Sequence, residues 1–256
     1  MSRKVLLILV DGMRPDALSA CPSARRALEA HAHTLTAQTV LPSVTLPCHM
    51  SLFHSVDPVR HNNLTNVYVP QVRPVNGLFD VLSAAGKRSG MFFSWEELRD
   101  LGRPGSLAKS VCVSGREYGH KAAGSAVTDE AIAYIRDDDP DFVFLYLGFP
   151  DEAGHDFGWM SEAYLESVRA SWTMIDRITE VLPKNWAVFI TADHGGHERM
   201  HGSDCPEDMT IPLIAYGSGT ERIDLSEASI KDLAPTIATL LNVVPDPQWE
   251  GRNLIR

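Results

Sequence analysis

Six acidic and imidazole side chains stand just beyond three short apolar runs. Asp11 follows Val5–Val10. Asp151 and His155 follow Phe142–Leu147, after Gly148-Phe149-Pro150. Asp193 and His194 follow Ala187–Thr191, and His201 lies further along the same loop. Taken singly, each has an ordinary structural reading: an aspartate after a strand is a common turn or cap residue, and a lone loop histidine is usually solvated. Independent strand ends that all present the same chemistry point instead to a shared ligand. Carboxylates mixed with imidazoles suit zinc, with manganese or iron as alternatives. The set divides into Asp151, His155 and His201 for one ion and Asp11, Asp193 and His194 for another. Three carboxylates and one deprotonated nucleophile carry four negative charges, which two divalent ions balance better than one.

The nucleophile is sought in Ser43-Val44-Thr45-Leu46-Pro47-Cys48-His49-Met50-Ser51-Leu52-Phe53. Pro47 suits the first turn of a helix running through Phe53. Thr45 then falls at or just before the N-cap. A hydroxyl there sees the positive end of the helix dipole, and free backbone N–H groups can hold a phosphoryl oxygen. A threonine hydroxyl is a poor nucleophile at neutral pH, and coordination to a metal lowers its pKa. The competing reading makes Thr45 a cap and nothing more. Ser43 is the rival hydroxyl, Cys48 reads as a small core residue inside the helix, and His49 as a packing or supporting residue.

These side chains need a scaffold that aims them at one place. Val5–Val10, Arg88–Ser94, Phe142–Leu147, Ala187–Thr191 and Ile211–Tyr216 read as strands. Continuous apolar runs of this length imply burial on both faces, as in a parallel sheet covered by helices. Between them, Ser161–Leu182 carries Leu165, Val168, Trp172, Ile175, Ile178 and Leu182 on one helical face, with Ser161 as N-cap. Gly77–Ala85, Thr128–Arg136 and Asp232–Leu241 are further helices, the last with Pro235 in its first turn. The alternation predicts one α/β domain over residues 1–256: a doubly wound, mostly parallel sheet with helices on both faces and no large cap. In such sheets ligands bind beyond the carboxyl ends of the strands. Asn62–Gly77 has no helical period and reads as a long loop on that side.

Composition excludes several classes. The chain has 256 residues, 44% of them apolar and 22% charged, with a net charge of -10. That is ordinary for a globular domain. No basic face suggests nucleic-acid binding, and an acidic chain that handles anions needs a local cation source, which metals supply. Val5–Val10 after Arg3-Lys4 mimics a signal peptide but is too short and ends in Asp11. No run reaches membrane-spanning length. Cys21, Cys48, Cys112 and Cys205 show no CxxC spacing and are too sparse for a disulfide framework. A cytoplasmic protein is expected, with no membrane partner; the oligomeric state is left open.

Taken in order, these motifs resemble the alkaline phosphatase superfamily, and within it the type I phosphodiesterase/nucleotide pyrophosphatase branch. The resemblance runs from Val5 to about Leu213. It is carried by Leu9-Val10-Asp11-Gly12-Met13-Arg14-Pro15-Asp16, Thr45-Leu46-Pro47-Cys48-His49, Arg60-His61-Asn62-Asn63-Leu64-Thr65-Asn66, Asp151-Glu152-Ala153-Gly154-His155, Ala192-Asp193-His194-Gly195-Gly196 and His201-Gly202. It implies that Thr45 attacks phosphorus, that Asn66 contacts a phosphoryl oxygen, and that Thr45 is itself a metal ligand beside Asp11, Asp151, His155, Asp193, His194 and His201. The substrate would be a small phosphate ester, cleaved by way of a phosphothreonine intermediate.

Two departures stand out. The family usually has glycine where Asn62 stands, and His197 rivals His201 as the last ligand, with Gly202 favouring His201. Phosphomonoesterase, phosphonate hydrolase and phosphomutase are alternatives in the same superfamily. A sulfatase would need its nucleophile in a C-x-P-x-R context; Cys21-Pro22-Ser23-Ala24-Arg25 has the proline one place too early and lies away from the nucleophile position. A catalytically silent metal-binding protein is the alternative of another class, against which the intact ligand set and hydroxyl argue. A monoesterase also needs extra donors, for which His49, His61, Lys87 and Arg116 are candidates.

Overall fold

The computed structural model describes residues 2–256. Its centre is a seven-stranded sheet. The strands are β1 Lys4–Val10, β2 Ala32–Gln38, β3 Ser89–Phe93, β4 Lys109–Cys112, β5 Phe142–Leu147, β6 Trp186–Thr191 and β7 Thr210–Gly217. They lie in the order β2-β7-β6-β1-β5-β3-β4. The five from β6 to β4 are mutually parallel, and β1, β3, β5 and β6 are buried along their whole length. Helices cover both sides. His120–Asp138 and Glu162–Glu180 pack together on one face. Thr45–His54, Leu78–Ala84 and Leu233–Leu240 pack together on the other.

Register decides where the chemistry lies. Val10 of β1 stands opposite Leu147 of β5, and Leu9 stands opposite Thr191 of β6. Three adjacent parallel strands therefore end at one level, and the residues that follow them emerge side by side.

The structure departs from the sequence expectations at the sheet edges. The Ile211–Tyr216 run forms a strand, but β7 is antiparallel to both β6 and β2. Buried antiparallel and buried parallel strands have the same apolar signature, so the run could not reveal its direction. Strands β2 and β4 lack apolar runs because one is mostly exposed and the other alternates in burial. The expected Thr128–Arg136 helix extends over His120–Asp138, and Asp232–Leu241 resolves into a 3-10 turn, Ile230–Asp232, followed by the helix Leu233–Leu240. Ser161 caps its helix as expected, its side chain accepting from Tyr164 N at 3.3 Å. Residues 62–77 carry no helix or strand. No helix among the described residues is long and apolar enough to cross a membrane.

The helix Thr45–His54 is buried on every side. Such a helix is held by packing rather than by an amphipathic face. Phe53 anchors it, stacked on Phe79 at 4.7 Å between centroids and edge-on to Phe144 at 4.9 Å. Truncating a buried aromatic removes its transfer energy and leaves a cavity. Phe53→Ala is therefore expected to cost about 3–5 kcal/mol of stability, read by denaturant unfolding. A loss below about 1 kcal/mol would contradict this anchoring role.

Candidate active site

Asp11 leaves β1, Asp151 sits in the first turn of the helix Phe149–Phe157 after β5, and Asp193 and His194 leave β6. One donor atom each from Asp11, Asp193 and His194 lies within 4.8 Å of the others, and the same holds for Asp151, His194 and His201. His194 thus borders both groups: its Nε2 lies 3.3 Å from Asp11 Oδ1 and 3.5 Å from Asp193 Oδ2. His201 Nε2 is 3.6 Å from Asp151 Oδ1. His155 meets Asp151 from the rim, Nε2 to Oδ2 at 3.5 Å, with its side chain 41% exposed. The sequence division into two separate triads becomes one continuous cluster with His194 in its middle.

Hydrogen bonding fixes how these groups face each other. Each imidazole donates Nδ1–H to a backbone carbonyl: His194 to Gly195 O at 2.8 Å, His201 to Ser43 O at 2.8 Å and His155 to Arg199 O at 3.0 Å. A neutral ring that donates from Nδ1 presents a bare lone pair at Nε2. Those lone pairs point at carboxylate oxygens, and Asp11 Oδ1, Asp151 Oδ1 and Asp193 Oδ2 are buried without a hydrogen-bond partner. Acceptors facing acceptors in a buried space repel unless cations stand between them. The donor set, its outer hydrogen bonds and its orphaned oxygens therefore fit divalent metals.

The titration behaviour has the same origin. Burial, and then the charges of Asp193 and Asp151, raise Asp11 well above the usual carboxylate range. Burial followed by Asp193 does the same to Asp151, and burial raises Asp193. Burial lowers His194 to about 4 and His201 to about 3, with His194 adding to the shift at His201. His194 and His201 are therefore neutral at physiological pH, and the carboxylates need positive charge nearby to ionise.

Thr45 is 3% exposed and is the first residue of its helix; Val44 holds the N-cap position. Its hydroxyl makes no capping bond and instead donates to His194 Nε2 at 3.1 Å, so the cap-only reading fails. The expected cradle of helix N–H groups is smaller than foreseen. The Leu46 N–H donates to Asn66 Oδ1 at 3.0 Å, and Pro47 has no N–H to give. That bond orients Asn66, whose Nδ2 hydrogens remain available as donors. Asn62, at the glycine position of the resembling family, takes φ 62°, a left-handed cap that asparagine tolerates. Ser43 Oγ is spent on Ser203 O at 2.7 Å, and Cys48 is a buried core residue. His49 is also buried; its Nδ1 donates to Thr45 O at 2.8 Å and lies 3.5 Å from Asp193 Oδ2.

Asp11, Thr45, Asn66, Asp151, His155 and His201 line a cavity of about 160 Å³ together with Tyr146, Ser94, Trp95, His120 and Glu152. None of these five was legible as a site residue. Tyr146 lies inside an apolar run, yet its hydroxyl donates a short hydrogen bond to Asp11 Oδ2. Ser94 and Trp95 follow β3 and His120 opens the helix His120–Asp138, elements with no acidic or imidazole motif, while Glu152 stands next to Asp151 in the helix Phe149–Phe157. The supposed extra donors His49, His61, Lys87 and Arg116 do not line the cavity. His61 bonds Ser51 at 3.0 Å, and Lys87 pairs with Asp141 at 3.3 Å. Gly12 is required at φ 65°, where a Cβ would come within 3.1 Å of Asp151 Cα.

Comparison with known proteins gives the family and the fold. The sequence pattern of the type I phosphodiesterase / nucleotide pyrophosphatase family matches residues 5–207. Among curated relatives, the 2,3-bisphosphoglycerate-independent phosphoglycerate mutase of Clostridium beijerinckii is 31% identical over 136 residues. Phosphoglycerate mutase 2 of Methanosarcina acetivorans is 35% identical over 136 residues. Each match covers 50% of this chain and 26% of the relative, so the chain matches about a quarter of the length of those enzymes. Murine ectonucleotide pyrophosphatase/phosphodiesterase 5 superposes with TM-score 0.77 at 15% identity, covering 99% of this chain and all of that one. A 2-O GAG sulfatase, BT1596, gives TM-score 0.75 at 16% identity, covering 99% of this chain and 73% of that one. The chain belongs to the type I phosphodiesterase / nucleotide pyrophosphatase family of the alkaline phosphatase superfamily.

Proposed function

We propose that the chain is a two-metal hydrolase of small phosphodiesters that works through a phosphothreonine intermediate on Thr45. The observation that carries this reading is the Thr45 hydroxyl itself, uncapped at a helix N-terminus and bonded to His194 among orphaned carboxylates. Asp11, Asp193 and His194, with Thr45, would hold one ion and Asp151, His155 and His201 the other, with zinc suiting the donors best. Bound there, the ions would lower the pKa of the hydroxyl and neutralise charge on the phosphoryl group.

Thr45 Oγ1, its proton given up to solvent, attacks phosphorus and the bond to one ester oxygen breaks, releasing an alcohol; water later hydrolyses the esterified phosphothreonine, releasing a phosphomonoester and restoring the hydroxyl. Asn66 Nδ2 donates to a non-bridging oxygen. Removing one such preorganised donor typically costs about 10²–10³ in kcat. Asn66→Ala is expected to lose turnover on that scale with little change in metal content, and an effect only on KM would sink the role.

A diester is favoured by charge. A monoester dianion calls for extra cationic groups, yet no lysine or arginine lines the cavity, and its His120 sits 3.7 Å from Glu152. The murine enzyme has been solved, as an inactive form, in complex with AMP, which supports a small phosphate-bearing molecule as the ligand class. Rates on bis-p-nitrophenyl phosphate and p-nitrophenyl phosphate test the preference: kcat/KM should be higher for the diester, and a monoester preference of tenfold or more would reverse it.

The mutase relatives favour a second reading, phosphoryl transfer between hydroxyls. A phosphorylated hydroxyacid carries still more negative charge than a monoester, and the cavity offers it no cationic partner of its own. Release of an alcohol and a phosphomonoester from a diester, with no isomeric ester formed from a phosphorylated hydroxyacid, would decide for hydrolysis.

A further inference from the structure

His197, the rival for the last ligand position, does not reach the catalytic carboxylates. Its Nδ1 lies 2.8 Å from Asp208 Oδ1 and 3.6 Å from Cys205 Sγ. One donor atom from each of these three residues falls within 4.8 Å of the others. The grouping is built rather than incidental. Asp208 is 0% exposed, and its other oxygen, Oδ2, accepts from Ser203 N at 2.9 Å and Ser203 Oγ at 2.8 Å. Those two bonds aim Oδ1 at His197 and Cys205, as outer hydrogen bonds orient carboxylate ligands. The His197 backbone is fixed by reciprocal bonds with Met200, both 2.9 Å.

We propose that His197, Cys205 and Asp208 form a third, structural metal site that takes zinc. One nitrogen, one thiolate and one carboxylate suit that ion, and a water completes a tetrahedron. On binding, the His197 ring carries its proton on Nε2 in place of Nδ1, and Cys205 releases its thiol proton to solvent. The site lies on the segment between β6 and β7 that also carries His194 and His201. That segment folds back on itself through Gly195 N to Asp208 O at 2.8 Å and Gly196 N to Glu207 O at 2.9 Å. Ser203 O accepts from Ser43 Oγ at 2.7 Å, and Ser43 O accepts from His201 Nδ1 at 2.8 Å. An ion at His197 would therefore brace both catalytic imidazoles from behind.

Sulfur separates this site from the catalytic pair, whose ligands include none. Metal-free, reduced protein is titrated with Co²⁺ and followed by absorbance, with bound metal counted by elemental analysis. Expected are three equivalents and a near-ultraviolet thiolate-to-cobalt charge-transfer band. Cys205→Ser and His197→Gln should each lose one equivalent, and the serine variant should lose the band, while the visible absorption of the remaining cobalt persists. A saturated wild-type protein without that band, or a band that survives in Cys205→Ser, overturns the proposal. Binding of a single Co²⁺ with the band, and none elsewhere, would uphold this site while refuting the catalytic metal pair.

Discussion

Thr45→Ala is expected to abolish turnover while the protein keeps its metals. In the proposed mechanism the hydroxyl is the group that bonds phosphorus, and it makes no capping bond at its helix terminus. Loss of a nucleophile in a covalent mechanism costs up to about 10⁶ in kcat, equivalent to roughly 8 kcal/mol of transition-state stabilisation. A residual rate of about 10³ over the uncatalysed reaction should survive, because the metals and Asn66 would still bind the phosphoryl group and a water could take the place of the hydroxyl. Asp11, Asp193 and His194 meet each other without help from Thr45. Metal content measured on the purified variant should therefore match the parent protein. Thr45→Ser should keep a measurable fraction of activity, since it retains the oxygen. Undiminished turnover in the alanine variant would remove Thr45 from the mechanism and leave Ser43, already committed to Ser203, as a poor substitute.

The second large effect is on stability. A ligand held at about a thousand times its dissociation constant stabilises the folded chain by about 4 kcal/mol. For a domain of this size each kcal/mol moves Tm by about 2–4 °C. Chelation should thus lower Tm by roughly 10 °C, and the deficit should depend on pH in a defined direction. In the metal-free protein Asp11 and Asp151 titrate well above their ordinary range. The folded chain then holds protons that the unfolded chain releases near pH 4, so stability falls as pH rises from there. His194 and His201 work in the opposite sense. Lowered to about 4 and about 3, they bind fewer protons folded than unfolded, and stability rises with pH until the unfolded histidines lose theirs near pH 6.5. The two trends oppose each other above about pH 4, and the carboxylate trend runs until Asp11 and Asp151 lose their protons in the folded chain. Differential scanning calorimetry should therefore show the chelated protein losing stability as pH rises through the titration of these carboxyls, while the metal-loaded protein stays level over the same range. Superimposable melting curves with and without chelator would mean that the carboxylates are stabilised by something other than cations.

The sequence by itself determined the central sheet and the identity of most candidate ligands. Val5–Val10, Phe142–Leu147 and Ala187–Thr191 are almost wholly apolar because both of their faces are covered, and a strand buried on both faces carries few polar groups before it ends. The first polar residues after such strands are thus conspicuous, and in a parallel sheet they share one edge. Thr45 was legible for a related reason, since Pro47 marks the start of its helix. Tertiary structure alone decided the rest. The direction of β7, the exposed edges β2 and β4, and the entry of Tyr146, Trp95 and His120 into the cavity depend on which elements become neighbours. No local pattern encodes that. His197 and His201 are four residues apart in one polar loop. Only the bond from His201 to Ser43 and the pull of Asp208 on His197 turn one ring toward Asp151 and the other toward Cys205.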